Sequence, residues 1–597
     1  VVLRPKAGLY GCSGTECANA GKTGSSHAAD DGHQRNSILA RIMPAAAPVP
    51  ALKHARASAL CLMLLLAACG GNDPEGARLT VSVVGDVGRP GGLAQRLVAE
   101  ATRPTLIERN GAGQIVPGLA SSWRFVDDGR SLILRLRPAK WSDGEPLVAK
   151  DVVAAFRRAG QRREPALARA GLAGATDVVE RGAPVTRLGI FAPISRVVEI
   201  RLAVASPLLL GWLADPQLGV TRAGEKPMLA DYVVTGPVQR RLLRRRSIAA
   251  TDNARPAQIV VSAAEDSATA VGEFRRGETD IVMGEGLSGL GEARNSIVAQ
   301  SLRIDPVWGI YGYVINTLRG PLADPRVRLA LAMAVDRPAL LQRFGIPAMV
   351  PVESMLPPAL APQAPAPRAG IAAAAATNIA AAIATATTAA TNRKATPTKP
   401  PTPTAPTAPT AADAAAWASL PLASRRATAT ALMAAAGFTA EKPLRLVLLL
   451  PPGRDHRSIA ENIGVDWSAI NVVLAVSEVG AGTIDQLVAR GEFDLAVTEA
   501  ALPVADPVAM LMRWRCDSAG AYCNPAFDTL IAAANAAAQT DQSTLVSRAV
   551  TALNASPPMV PLFTPVRWAL VAANVDGWTS NAAGSHPLAR LAVTGRN

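Results

Sequence analysis

Histidine and cysteine are scarce in this chain: five and six in 597 residues. His27, His33, His54, His456 and His586 stand far apart, and neither HExxH nor a paired CxxC occurs, so the spacing singles out no metal centre. GxxxxGK[ST] and G-x-S-x-G are also missing, which removes the phosphate-cradling loop and the strained serine elbow. Asp and Glu are plentiful, but nothing in their spacing nominates a catalytic dyad. No cofactor is implied, and the search for an enzyme comes back empty. What is present is apolar bulk: 49% hydrophobic and 18% charged residues, the composition of a globular protein, with an alanine surplus inflating the first figure. A chain of this length exceeds one core, so at least two domains are expected.

Long apolar runs are few. "ASALCLMLLLAA" (57–68) follows Lys53, His54 and Arg56 and has the length of a signal-peptide h-region, too short for an ordinary membrane span. It ends in Leu66-Ala67-Ala68-Cys69 and "GGNDPEG", which resembles a bacterial lipobox with Cys69 as the diacylated mature N-terminus. The alternative is cleavage at an ordinary Ala-x-Ala site. Residues 1–42 read as an upstream extension, 43–68 as the signal and 69–77 as a tether. Cys12 and Cys17 fall in the extension and Cys61 in the signal, so Cys516 and Cys523 remain for the mature fold. They form either a disulfide closing a small loop or two independent thiols. Removing residues 1–68 takes away seven basic and three acidic side chains from a formal +14 and leaves about +10. The basic residues are scattered, the densest cluster being "RRLLRRR" (240–246). That reads as a solvated strand or loop face rather than a nucleic-acid surface.

From Arg78 the pattern is mixed α/β. "SSWRFVDDGRSLILRLRP" predicts a hairpin about Asp128-Gly129, and a helix is expected from about Ala149. Strands are expected at "ARLTVSVVG", ending in Gly85, and at "VVEIRLA", "AQIVVSA" and "IVMG". "PRVRLALAMAVDRPALLQRF" reads as one helical stretch. Residues 361–416 are Ala/Thr/Pro low complexity with few large apolar groups to bury, an insertion in a surface loop. "GEGLSG" (284–289) matches G-x-G-x-x-G, but the helix after it is poorly amphipathic, so the glycines read as a loop at a strand end. A short phrase occurs twice, 214 residues apart: "FRRGETDIV" from Phe274 and "VARGEFDLA" from Val488. In each, Arg-Gly is expected to end a helix, with Gly in the left-handed conformation, and Asp to begin a buried strand.

Three segments carry a resemblance. "GQIVPGLASSWRFVDDGRSLILRLRPAKWSDGEPLVAKDVVAAFRR" (113–158), "INTLRGPLADPRVRLALAMAVDRPALL" (315–341) and a C-terminal set around "GEFDLAV", "DPVAMLMRWRC" and "VDGWTSN" resemble the family 5 solute-binding proteins of ABC importers, which include dipeptide- and oligopeptide-binding proteins. The resemblance implies an α/β fold of the periplasmic-binding type (type II, large peptide-binding class), two lobes joined by hinge strands. Lobe 1 would span 78–306 with a return over 563–597, and lobe 2 would span 307–562. It also implies a non-enzymatic, monomeric protein of the cell envelope, lipid-anchored to the membrane. Such a protein would capture a peptide or peptide-like solute for an ABC permease in the inner membrane, without nucleic acid. A transport-inactive member acting as an envelope sensor or scaffold is the alternative.

Residue by residue, the transfer is uneven. In "LLPPGRDH" (449–456), Arg454 falls where dipeptide-binding members hold the peptide carboxylate, with His456 beside it; the alternative for Arg454 is an exposed loop residue. Relatives place an Asp for the ligand amine after the "FDLA" strand, and here Pro503 takes that place. Thr498 and Glu499 follow the strand, with Glu499 or Asp506 as possible replacements for the acid. Gly85, Gly284 and Glu285 are the candidates from lobe 1. The family's cysteines resemble Cys516 and Cys523, which supports their disulfide.

Overall fold

Turn chemistry shapes the first of three large sheets. Asp127, Asp128 and Gly129 all take positive φ (+52°, +52° and +83°). This tight link folds strand Ala120–Val126 back on Ser131–Leu136, with Phe125 opposite Leu132 and Trp123 opposite Leu134. Strands Ile190–Ile194 and Val197–Arg201 complete a four-stranded antiparallel sheet. Helix Ala149–Gln161 begins where the Asp151 carboxylate accepts the Val148 N–H at 3.1 Å. It buries Val152, Phe156 and Ala159 against Leu132, Leu134 and Ile200.

The computed structural model describes residues 77–85, 92–224, 228–247, 255–346, 348–361, 417–518 and 522–594, all within one compact unit, Pro74–Asn597. The upstream extension, the signal, Cys69, the tether up to residue 76 and the insertion from 362 to 416 lie outside the described residues. Among the described residues, no helix is long and apolar enough to cross a membrane.

A seven-stranded sheet runs in the order Leu302–Pro306, Val566–Val571, Ile281–Glu285, Arg78–Val84, Gln258–Ala264, Arg240–Arg245, Tyr232–Thr235. Its centre is parallel, since Arg78–Val84 pairs that way with both neighbours. Leu79, Val81, Val83, Ile259 and Ile281 fill one of its faces. The arginine-rich strand exposes Arg240 and Arg244 while burying Leu243 and Arg245. A five-stranded sheet runs Val472–Glu478, Leu444–Leu450, Leu495–Leu502, Trp308–Ile315, Met559–Phe563. The chain passes from the seven-stranded to the five-stranded sheet between Pro306 and Trp308, and returns between Phe563 and Val566. The result is a two-lobe α/β fold in which the first lobe contains two sheets with separate cores. The sequence reading had not separated those two sheets.

Buried arginine helps hold the second lobe together. Arg337 is fully buried and donates to the carbonyls of Pro561 (2.8 Å), Ala332 (3.0 Å) and Val335 (3.4 Å), so no N–H-rich face is left without acceptors. It also marks a correction. The single helical stretch expected over 325–344 is two helices, Pro325–Ala334 and Arg337–Phe344. Pro338 has no N–H to donate and restricts the residue before it, so the chain restarts with Asp336 capping the Ala339 N–H at 3.1 Å.

The repeated phrase marks the same joint in both lobes. Helix Ser267–Arg275 gives way to Gly277 (φ +73°), and helix Ala481–Arg490 to Gly491 (φ +68°). The aspartate after each then reaches sideways to the adjacent parallel strand. Asp280 accepts the Thr80 N–H at 2.8 Å and its hydroxyl at 2.6 Å, and Asp494 accepts the Val447 N–H at 3.1 Å. Each carboxylate therefore supplies an acceptor to the neighbouring strand at the level where the pairing begins. Asp280 is buried, so Asp280→Ala should cost about 2 kcal/mol in urea unfolding, through the donors left unsatisfied. Asp494→Ala, at a more open strand, should cost less than about 1 kcal/mol. Equal costs would contradict this account.

Candidate binding cleft

The two lobes meet along the ends of their central strands. On the first-lobe side, Ile281–Glu285 pairs with Val566–Val571, putting Gly284 opposite Trp568 and Glu285 opposite Arg567. A Cβ on Gly284 would collide with the Trp568 indole, whose Nε1 donates to the Ser288 carbonyl at 3.2 Å. Glycine is required here for close packing against an aromatic ring, and the G-x-G-x-x-G phrase serves that purpose. Glu285 pairs with Arg96 and lies 3.6 Å from Arg567 Nε. Gly85 ends its strand at φ +73°, with open space where a Cβ would stand.

From the second lobe, Glu499 lies opposite Tyr311 on neighbouring strands. It sets its carboxylate against Gly286 of the first lobe, whose positive φ (+61°) and missing side chain admit it; a Cβ there would overlap the carboxylate. Helix Arg454–Ser468 starts beside it. Asp455 accepts the Gly291 N–H at 3.1 Å, and His456 bridges Tyr311 Oη (2.9 Å, at Nδ1) and Ser288 Oγ (3.4 Å, at Nε2). Burial pushes the His456 pKa down to about 4, so the ring is neutral at pH 7. A neutral imidazole has one donor and one acceptor, and the hydroxyls on either side can rotate to suit either tautomer. Further inter-lobe contacts join Trp212 Nε1 to Asp506 Oδ2 at 3.2 Å and bring Arg515 within 3.4 Å of Glu180.

The candidates read from sequence are thus placed unevenly. Gly284, Glu285, Glu499 and His456 come together at the lobe junction. Thr498 lies on the neighbouring position of the same strand as Glu499, its side chain on the other sheet face, where Arg513 Nη2 donates to it at 3.3 Å. Arg454 is exposed, with no carboxylate in ion-pair distance among the described residues. Pro503 follows the strand and offers no charge. Asp506 caps helix Pro507–Met512 through the Ala509 N–H (2.9 Å) as well as holding Trp212, so both of its oxygens are engaged. Cys516 and Cys523 are bonded to each other. Sequence reasoning missed Arg513, which stood in the quoted "MLMRWRC" but showed no sign there of what it would face. Among the described residues, no group of His, Cys, Asp and Glu is arranged to hold a metal.

One strand edge is open. Leu495–Leu502 pairs along its full length with Trp308–Ile315, but on its other side Leu444–Leu450 reaches only the first residues, Leu448 facing Leu495 and Leu449 facing Ala496. From Thr498 onward, that side has no strand partner among the described residues.

Two α/β lobes joined by a double strand crossing are the fold of the periplasmic-binding type. The chain matches the family described as bacterial extracellular solute-binding proteins, family 5 (middle), over residues 114–522, and it belongs to that family. It is 26% identical over 509 residues to the periplasmic oligopeptide-binding protein OppA of Salmonella typhimurium, covering 81% of this chain and 84% of that protein. It is 28% identical over 280 residues to a probable deoxycholate-binding periplasmic protein of Escherichia coli, YgiS, covering 42% of this chain and 51% of that protein. The structure of the Escherichia coli murein tripeptide-binding protein MppA superposes with a TM-score of 0.68 at 20% identity, covering 87% of this chain and 99% of that one. The chain is a solute-binding protein and not an enzyme.

The neutral His456 has a measurable consequence. Its folded pKa lies below its unfolded value of 6.5, so the unfolded chain takes up the proton first as pH falls. The stabilisation is whole above about pH 6.5 and drains away toward pH 4. Urea unfolding should show about 2 kcal/mol of this loss between pH 7 and pH 4.5, removed in His456→Gln. An unchanged difference between the two pH values in that variant would contradict the assignment.

Proposed function

We propose that this protein captures a peptide or peptide-like solute between its lobes and delivers it to an ABC permease from the outer side of the cytoplasmic membrane, tethered by a lipid on Cys69. The open edge beyond Ala496 is the observation that supports the peptide reading most strongly. An extended peptide satisfies such an edge by adding as a strand, main chain to main chain, while closure over it excludes water and strengthens each polar contact. The relatives named for oligopeptide and murein-peptide binding support the same reading. Edge pairing is indifferent to side chains, which suits a protein that accepts more than one sequence.

The amine end is the point of departure. With Pro503 in the expected acid's place and Asp506 committed to Trp212 and its helix cap, Glu499 is the carboxylate closest in sequence to the open edge. It already meets Gly286 across the junction. A peptide whose amine is blocked or internal suits this wall better than one that needs a dedicated anchor.

Purified mature protein should melt a few degrees higher with saturating pools of three- to five-residue peptides, since a ligand at a hundred times its Kd adds about 2.7 kcal/mol to the folded state. Amine-acetylated pools should do as well as free ones. A well-folded protein that no peptide pool stabilises would sink the transport reading and favour the envelope sensor or scaffold. Fatty-acid labelling in cells should tag wild-type protein and spare Cys69→Ala; equal labelling would remove the lipid anchor from the proposal.

A further inference from the structure

Several arginines that lose their water in this protein recover part of it in protein acceptors. Arg337 has three carbonyls. Arg328 donates to the carbonyls of Pro557 (3.1 Å), Leu322 (2.7 Å) and Ala323 (2.8 Å). Arg425 pairs with Glu353 at 2.9 Å, and Arg567 has Glu285 at 3.6 Å and the Ala583 carbonyl at 3.1 Å. Arg513 breaks the pattern. Its guanidinium has the Thr498 hydroxyl at 3.3 Å and the Trp514 ring 5.2 Å away, and no carboxylate within ion-pair distance among the described residues. Burial alone pushes its pKa down, to about 10, with no anion to offset the shift. A guanidinium has five N–H donors, of which Thr498 uses one. None of the Arg513 nitrogens is both sealed from solvent and unsatisfied, so the remaining donors open on accessible space.

Its position gives this a use. Arg513 directly follows helix Pro507–Met512, whose capping Asp506 touches Trp212 of the first lobe. Thr498, to which it donates, is the residue at which the strand edge becomes free. Resting on the peptide reading above, we infer that Arg513, steadied by Thr498, is an anion site of the cleft and binds a carboxylate of the captured solute at the start of that edge. A planar, forked donor matches a carboxylate in two parallel hydrogen bonds. The partly desolvated cation costs free energy while unpaired, and an arriving carboxylate removes that cost. The carboxylate belongs either to the peptide C-terminus or to an Asp or Glu side chain.

Four pentapeptide pools separate these sources: Glu or Gln fixed at the centre, each as free acid or C-terminal amide, with the other positions randomised among uncharged residues. Binding to the mature chain is measured by calorimetry. Wild type should bind the pools that keep the contacting carboxylate about ten- to a hundredfold more tightly than those that lack it. The arm that matters, terminus or side chain, identifies the source. Arg513→Gln should lose that preference while binding the neutral amide pool as wild type does, and Arg513→Lys should keep part of it. Ligand-free Arg513→Gln should melt no lower than wild type, because an unpaired desolvated charge has been removed. Equal binding of all four pools by wild type, or a preference that survives in Arg513→Gln, overturns the anion site and leaves peptide capture standing. A lower melting temperature with the preference intact assigns Arg513 to structure and overturns it too. If no pool binds wild type, the peptide reading falls and the site with it.

Discussion

Two short strand crossings govern this molecule. The chain leaves one sheet at Pro306 and enters the next at Trp308, with only buried Val307 between, and it returns through Thr564 and Pro565. The crossings lie side by side, Gly309 giving room to Pro565 and to the Ala500 carbonyl, and Thr564 Oγ1 accepts the N–H of Val350 from the second lobe at 2.9 Å. Links this short and buried let the lobes turn about them but hold them together, which is the hinge-closure arrangement. Everything at the lobe junction depends on that restraint. Asp455 on Gly291, His456 on Ser288, Glu499 on Gly286 and Trp212 on Asp506 are contacts that a rotation about the crossings makes or breaks.

These contacts are mostly polar and individually modest, which suits the opening and closing of the proposed function. Each is worth about 1 kcal/mol, so a bound solute bridging the walls can decide the balance between open and closed states. The fixed charges at the junction are largely spent within the protein: Glu285 on Arg96 and Arg567, Asp506 on a helix cap and an indole. His456 stays neutral because burial outweighs the pull of Glu478. On the proposed reading, the strand edge from Thr498 and the Arg513 guanidinium are what this wall offers a ligand, main chain first and charge second.

Local signals were legible in the sequence. Asp-Asp-Gly announced the hairpin at 127–129, the helix begins at Ala149 as expected, and both copies of Arg-Gly-Glu-x-Asp form helix–glycine–strand joints. The family's fold followed from long, specific signatures. What could not be read was the direction of side chains across the structure. Asp280 and Asp494 looked like strand starters, yet their carboxylates serve the neighbouring strand. Arg337 and Arg513 are both arginines beside apolar residues, and only the packing shows one enclosed by carbonyls and the other left without them. His456 was read as a ligand contact from its place beside Arg454; in the structure both of its nitrogens face hydroxyls from within the protein. A binding site is a relation between distant segments, and periodicity records only near ones.

Closure on the solute is the central claim, and small-angle X-ray scattering tests it most directly. The mature chain should show a smaller radius of gyration with a saturating peptide ligand than without, and Gly286→Val, which places a side chain where Glu499 must sit, should weaken that compaction. A peptide that binds tightly while the scattering of wild type stays unchanged would contradict the claim.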